Sequence, residues 1–414
     1  MGELSRARRA GAQAPLWIWA LAVTSLMQVT SALLTGAMPV IGPTLTAAAG
    51  VPPERIGHVT AMSAFGTMLF LVAGNPLLPR FGAVRLLQAG ALLGAASLGL
   101  ALLGWWPALL LAALLLGIGY GPSPPAGSDI LQRHAPAHRR VLVFSIKQAA
   151  VPLGGAFGGL ILPPLATQYG WRAGLAAIAL TALATAFLVQ PWRGVIDGNG
   201  AGEPPRSAPP LLGWSALMRP FRALAAVPGL PRLSYVGFAF AVVQGSLLGF
   251  YVTDMVDGLG QGLAEAGRAF AVLQGTGVVA RVSIGWIADR IGSALATLQA
   301  LTIASMAAAL LAAAMASAWP WWAFLAAAGL MGFAATSWNG VYLAEIARIA
   351  LPGQVGDATS GSTFVTFIGY VLGPASFAAL VGATQSYRLA FALVALLPLS
   401  AALLLLRARR VTAE

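Results

Sequence analysis

Residues 281–292 read Arg-Val-Ser-Ile-Gly-Trp-Ile-Ala-Asp-Arg-Ile-Gly. They end a long apolar run and turn it into a tight polar loop of the form Gly-x-x-x-Asp-Arg-x-Gly. Gly285, Asp289, Arg290 and Gly292 hold the fixed positions, and Arg281 still lies inside the apolar part. An acid and a base at set places stand out in a chain of which only 9% is charged. The chain has 414 residues and is 58% hydrophobic, which leaves too little polar surface to cover a soluble globule of that size. Working outward from this stretch therefore means placing membrane spans.

A span needs about 20 apolar residues. Twelve fit, over 16–40, 56–78, 85–105, 107–130, 142–166, 172–191, 232–255, 267–287, 293–316, 320–346, 358–381 and 388–406. The basic N-terminus before the first run resembles a secretory leader, but further runs follow, so the run is read as the first span. Residues 192–231, rich in Pro, Gly and Arg, read as a cytoplasmic linker between 1–191 and 232–414. The two parts also echo each other: Arg80-Phe81-Gly82 and Arg290-Ile291-Gly292 stand 210 residues apart, and Gln28 and Gln244 stand 216 apart. The fold expected is an all-α membrane protein, twelve transmembrane helices in two pseudo-symmetric six-helix bundles, with a site near the midplane between them. Gly154, Gly155, Gly158 and Gly159 in the fifth span, and Gly369 and Gly373 in the eleventh, read as faces for close helix packing.

The formal charge of +12 raises nucleic acid as a partner. Placement argues against it. Most arginines, among them Arg80, Arg133, Arg139, Arg290 and Arg348, gather on one side of the spans, against Arg55, Arg172, Arg268 and Arg388 on the other. By the positive-inside rule both termini are expected in the cytoplasm of a multi-pass cell-membrane protein, a bacterial inner membrane fitting best. There is no cysteine, and the three histidines, His58, His134 and His138, spell out no metal cluster, so neither metal nor cofactor is expected. No nucleophile-base pair stands out, and an enzyme is not expected.

The stretch quoted first resembles the signature loop of the major facilitator superfamily of membrane transporters, where it joins the second and third helices of a six-helix half. Six plus six spans fit that family. The resemblance implies a gate: Asp289 accepting hydrogen bonds at a helix N-terminus, where the dipole favours an anion, and Arg290 pairing with Glu345 at the end of the tenth helix. The corresponding loop of the first half reads Asn75-Pro76-Leu77-Leu78-Pro79-Arg80-Phe81-Gly82, with Pro79 at the acidic position, so only Arg80 is left to pair, with Asp129. Val151-Pro152-Leu153-Gly154-Gly155 is a poor echo of the Gly-Pro-x-x-Gly-Gly motif of proton-driven drug antiporters.

Two cations lie deep in the apolar spans. Lys147, the one lysine of the chain, falls seven residues beyond Arg140, roughly 10 Å in at the rise of an α-helix. Arg281 falls nine before Arg290, roughly 14 Å in. A centred cation costs about 2.5–3.5 kcal/mol on insertion scales, so each needs a cavity, a partner or a use. The candidate acids Asp129, Asp254 and Glu345 all fall near span ends. The family's arrangement, with fifth and eighth helices side by side, would bring Lys147 and Arg281 to one cavity as a receptor for an anion. Arg281, four residues before Gly285, is similar to the arginine of monocarboxylate and oxalate-type carriers that meets the substrate carboxylate. The other reading has Lys147 snorkelling to the surface and Arg281 supporting helix packing.

Polar residues at helical spacing complete the lining: Thr24, Gln28, Ser31 and Thr35 on the first span, Gln148 on the fifth, Gln244 and Tyr251 on the seventh and Gln274 on the eighth. Trp338, Asn339, Tyr342 and Glu345 on the tenth and Thr363, Thr366 and Tyr370 on the eleventh join them. The function expected is secondary active transport of a small organic anion, a carboxylate, by alternating access in a monomer. The coupling partner is a proton or a counter-anion. Efflux of drugs or hydrophobic compounds, and a non-transporting receptor or assembly factor on the same fold, are the rival readings.

Overall fold

The computed structural model describes residues 15–74, 77–136, 139–198, 214–351 and 354–411. Asn75, Pro76, His138 and the middle of the expected linker lie outside them. Eleven helices among the described residues are long and apolar enough to cross a membrane. The tenth crossing is built from two shorter segments, Trp321–Thr336 and Asn339–Ile349. The twelve-helix, two-bundle architecture is the one observed, because a bilayer offers backbone groups no partner outside the helix itself. Within the expected linker, Gln190–Asp197 and Trp214–Ala226 are helical.

Small residues set the packing. A Cβ built on Gly159 of the fifth helix, Arg140–Tyr169, would lie 2.7 Å from the Gly267 carbonyl of the eighth helix, Leu263–Ile291. The reverse distance, from Gly267 to the Gly159 carbonyl, is 2.6 Å. Only glycine allows two backbones to meet so closely, and here they belong to different halves. In the eleventh helix, Val355–Thr384, Gly369 does the same within the second half, where a Cβ would stand 2.6 Å from the Phe238 carbonyl.

The buried side chains show how the halves meet. One large core draws on both, joining Leu33–Ile41 and Trp171 of the first to Val242–Met255, Phe377 and Phe391 of the second. Towards the face that carries both chain ends the cores separate. Ala20, Val84, Ile130 and Ile196 cluster within the first half, and Phe240, Ile284, Tyr342 and Leu405 within the second. The apolar packing is wedge-like, shared by both halves at the distal face and divided between them towards the terminal one.

The stretch 281–292 is itself a correction to the expected loop. The eighth helix runs through it to Ile291, and only Gly292, at φ 69°, leaves the helix. Nothing before Gly292 breaks a helix, and a left-handed glycine satisfies the final carbonyls. Ser293 then caps the ninth helix, its Oγ accepting from the Ala296 N–H at 3.2 Å. The matching turn of the first half finds its acid elsewhere. Asp197, at the end of Gln190–Asp197, accepts from the Val84 N–H at 3.1 Å at the start of the third helix, Ala83–Ala101. An anion from a distant segment thus fills the capping role that Pro79 cannot.

Candidate functional site

Interrupted helices make the site. Pro152, inside the fifth helix, has no N–H, so the Gln148 carbonyl four residues back lacks its intrahelical donor. In the tenth crossing the first segment stops at Thr336, leaving that carbonyl at the negative end of a helix. Arg281 answers both. Its Nη1 donates to the Gln148 oxygen at 2.9 Å and its Nε to the Thr336 oxygen at 3.1 Å. The guanidinium therefore bridges the two halves, while Nη2 has no acceptor among the described residues. A planar group tied down through both Nε and Nη1 holds its Nη2 N–H groups in a fixed direction.

Lys147 is buried at 3% exposure and does not snorkel. Its Nζ donates to the Ser123 carbonyl at 3.2 Å, and its stem lies against Gly127, where a Cβ would stand 2.8 Å from Cε. Ser123 opens the second segment of the fourth crossing, after Trp106–Tyr120 and Pro122. Lys147 and Arg281 lie within electrostatic reach of each other, and no described acid forms an ion pair with either. Like charges in a low-dielectric interior repel, so the pair invites an anion.

Two tyrosines flank Arg281, each within its electrostatic reach and each tied to a glutamine. Gln28 donates to the Tyr120 hydroxyl at 3.3 Å in the first half. In the second half the Tyr370 hydroxyl donates to Gln244 Oε1 at 3.0 Å, and Trp338 Nε1 donates to the same oxygen at 2.9 Å. The internal echo of Gln28 and Gln244 is thus a matched pair of glutamine-tyrosine contacts on either side of the arginine. Tyr120 was not foreseen from the sequence; its place one turn before Pro124, facing Gln28, was the available signal. Gln274 crosses between the halves, seated on Gly155, whose missing side chain makes its room. Gln148 takes part through its backbone, and the Asn339 Nδ2 is buried without a partner.

Several expected lining groups are occupied otherwise. The hydroxyls of Thr24 and Thr35 turn back to their own helix at Ala20 and Ser31. Ser31 bonds the Ser123 hydroxyl at 2.9 Å, Thr366 bonds the Ser362 carbonyl, and Tyr251 lies in the distal core. The expected gate pairs are also absent. Glu345 takes both Nε and Nη2 of Arg348, at 2.8 and 2.7 Å, and Asp129 takes Arg133 at 2.7 Å. Partners three or four residues along one helix meet without any movement, whereas Arg290 and Arg80 would have to reach across separated elements. Arg290 instead covers the Trp286 ring, 5.0 Å from its centroid, and Arg80 and Asp289 are exposed.

The sequence matches the Major Facilitator Superfamily over residues 20–339. An uncharacterized MFS-type transporter of Mycobacterium tuberculosis is 27% identical over 390 residues, 92% of this chain and 83% of its own. The 4-hydroxybenzoate transporter PcaK of Pseudomonas aeruginosa is 25% identical over 280 residues, 62% of each chain. The hexuronate transporter of Bacillus subtilis is 27% identical over 156 residues, 37% of this chain and 36% of its own. Among solved structures, a bacterial homolog of the human lysosomal transporter Spinster, inward-facing and unoccupied, superposes with a TM-score of 0.75 at 15% identity, over 96% of this chain and 98% of that one. That likeness is one of fold.

Proposed function

The chain belongs to the Major Facilitator Superfamily of membrane transporters, and from that premise we propose that it carries a small organic anion, a carboxylate, through the central site by alternating access. The observation that carries this reading is the pairing of two buried cations, Lys147 and Arg281, with no described acid to neutralise them. A carboxylate can take parallel hydrogen bonds from the free edge of a guanidinium, and Lys147 supplies a second charge. Tyr120, whose hydroxyl accepts from Gln28, adds a free hydroxyl donor, and both tyrosines add ring faces, which suits an aromatic or sugar acid. The substrates named for two relatives, 4-hydroxybenzoate and hexuronate, both carry a carboxylate.

In this reading residues 1–191 and 232–414 are the two moving halves, joined by 192–231. The arginine-rich terminal face is cytoplasmic, so the wedge is open inward. Arg290–Glu345 and Arg80–Asp129 are the pairs that form when that face closes, with Asp289 against a helix N-terminus, Gly285 in the last turns of the eighth helix and Gly292 giving the turn its freedom. Gln28, Gln148, Gln244, Gln274 and Asn339 complete the substrate shell of a monomer. A proton or a counter-anion accompanies the substrate.

Thermal unfolding of the detergent-solubilised protein with benzoate, 4-hydroxybenzoate, glucuronate, succinate and lipophilic cations tests the reading. A ligand at a hundred times its Kd adds about 2.7 kcal/mol to the folded state. Carboxylates are expected to raise the Tm of the wild type and leave Arg281→Ala unmoved. A response to lipophilic cations alone, or an equal response of the variant, overturns it in favour of hydrophobic-compound efflux.

A further inference from the structure

The eighth helix carries a buried polar side chain that no described residue satisfies. Gln274 is 7% exposed, and its amide has no hydrogen-bond partner among the described residues. The amide occupies the space over Gly155 of the fifth helix, where a Cβ would coincide with Nε2. It is not fully enclosed, unlike the unpartnered hydroxyls of Ser246 and Tyr251 in the seventh helix, Gly229–Thr253. A buried amide without partners is destabilising, so a site that keeps one within reach of solutes has a use for it.

The fifth and eighth helices run antiparallel, and three contacts fix their register. Arg281 meets the Gln148 carbonyl, Gly159 meets Gly267, and a Cβ on Gly277 would lie 3.5 Å from the Pro152 Cβ. Gln274 falls opposite Gly155 in this same register. Gln274 and Arg281 are seven residues apart and so share one face of their helix, two turns from each other. That separation is about 10 Å along the axis. One turn beyond Gln274, Phe270 is 3% exposed in the core that both halves share. Arg281 therefore stands at the terminal end of this stretch of wall and Gln274 at its distal end. Between them Pro152 and Gly277 have no side-chain hydrogen-bonding group, and the Thr336 hydroxyl beside Gly277 is turned to the Gly332 carbonyl at 2.7 Å.

Two polar ends with an apolar middle define the length of a ligand. A hydrogen bond at each end takes about 2.9 Å, which leaves roughly 4–5 Å of skeleton out of the helical rise, the span of one six-membered ring. We propose that Gln274 binds an oxygen set across one ring from the carboxylate that Arg281 and Lys147 hold, and that Gly155 positions the amide for it. The substrate class is then a ring acid bearing a hydroxyl opposite its carboxylate. This assignment rests on the anion reading of the central site and adds to it the length and the far-end chemistry of the substrate. An amide both donates and accepts, so a hydroxyl suits it in either sense. A ligand with a methyl at that place leaves the amide buried and unpaired, the condition under which a polar site discriminates.

Titration calorimetry of the full-length, detergent-solubilised protein with 4-hydroxybenzoate, 4-methylbenzoate, 3-hydroxybenzoate and lactate tests the assignment. The methyl compound keeps nearly the shape of the 4-hydroxy compound and loses only the hydrogen bond. The wild type is expected to bind 4-hydroxybenzoate about tenfold more tightly than 4-methylbenzoate or 3-hydroxybenzoate. In Gln274→Leu that preference should vanish, with 4-methylbenzoate held at least as tightly as by the wild type. Gly155→Ala keeps the amide but fills its seat, and is expected to lose the same preference. Equal binding of the hydroxyl and methyl compounds by the wild type, or a preference that survives in Gln274→Leu, overturns the assignment and leaves the anion site in place. Binding of lactate with none of the ring acids does the same. No binding of any carboxylate overturns both. Should neither variant fold, the wild type decides: 3-hydroxybenzoate and 4-hydroxybenzoate bound alike reject a hydrogen bond at the far end of the ring.

Discussion

Arg281 is held by acceptors that exist only because two helices are interrupted, and Lys147 by a carbonyl beside a third break. The two cations have different work. Arg281 ties the halves and keeps part of its fork free, whereas Lys147 donates to one carbonyl that already lies within a helix. Replacing Lys147 by Met removes a buried charge while keeping the stem against Gly127, a change that is commonly neutral or stabilising. Lys147→Met is therefore expected to keep or raise the Tm without ligand. Its carboxylate affinity should fall by tenfold or more, the loss of a charge-assisted hydrogen bond worth about 1.5–3 kcal/mol. Titration calorimetry with the best-stabilising carboxylate checks both the sign and the size. The depth of both cations was legible from helical rise and from the scarcity of charge. Their acceptors were not, since a freed carbonyl carries no residue type that a reader can follow.

At the scale of elements, the third helix receives its cap from Asp197, 113 residues beyond Val84 in sequence. The anion meets the unsatisfied N–H end of a helix whose own turn has a proline at the acidic position. Asp197→Ala is expected to lower stability by about 1 kcal/mol, read as a fall in Tm in detergent, with carboxylate binding retained. An unchanged Tm would mean that water caps the helix as well. The sequence placed helices well wherever a long apolar run met glycine or proline, as at Gly292. It ended the eighth span at 287 and left 288–291 to the loop, because charge was taken for irregular structure, although a charged last turn at a membrane surface is compatible with a helix. Residues 192–197 of the helix Gln190–Asp197 were read as linker for the same reason.

For the whole molecule, the distal seam is where both halves share a core, and its closeness can be trapped. A Cβ on Gly249 of the seventh helix would lie 3.4 Å from the Thr60 Cβ of the second, close to the spacing of a disulfide. The double variant Thr60→Cys, Gly249→Cys is expected to cross-link under mild oxidant, to abolish uptake into proteoliposomes, and to regain it with reductant. Uptake that survives complete cross-linking would deny that the distal face has to open. The same wedge accounts for the pairs present at the terminal face: Glu345 and Asp129 take neighbours on their own helices while that face is parted.

The sequence alone determined the membrane class, the crossings, the twofold echo and the two deep cations, because a bilayer admits only long apolar helices and tolerates few charges within them. Tertiary structure alone decided which carbonyls hold Arg281, that Tyr120 joins Gln28, that Asp197 caps a remote helix, and which face is closed. Each of these is a contact between segments far apart in the chain. Periodicity fixes which face of a helix a residue lies on, but not which neighbour that face meets.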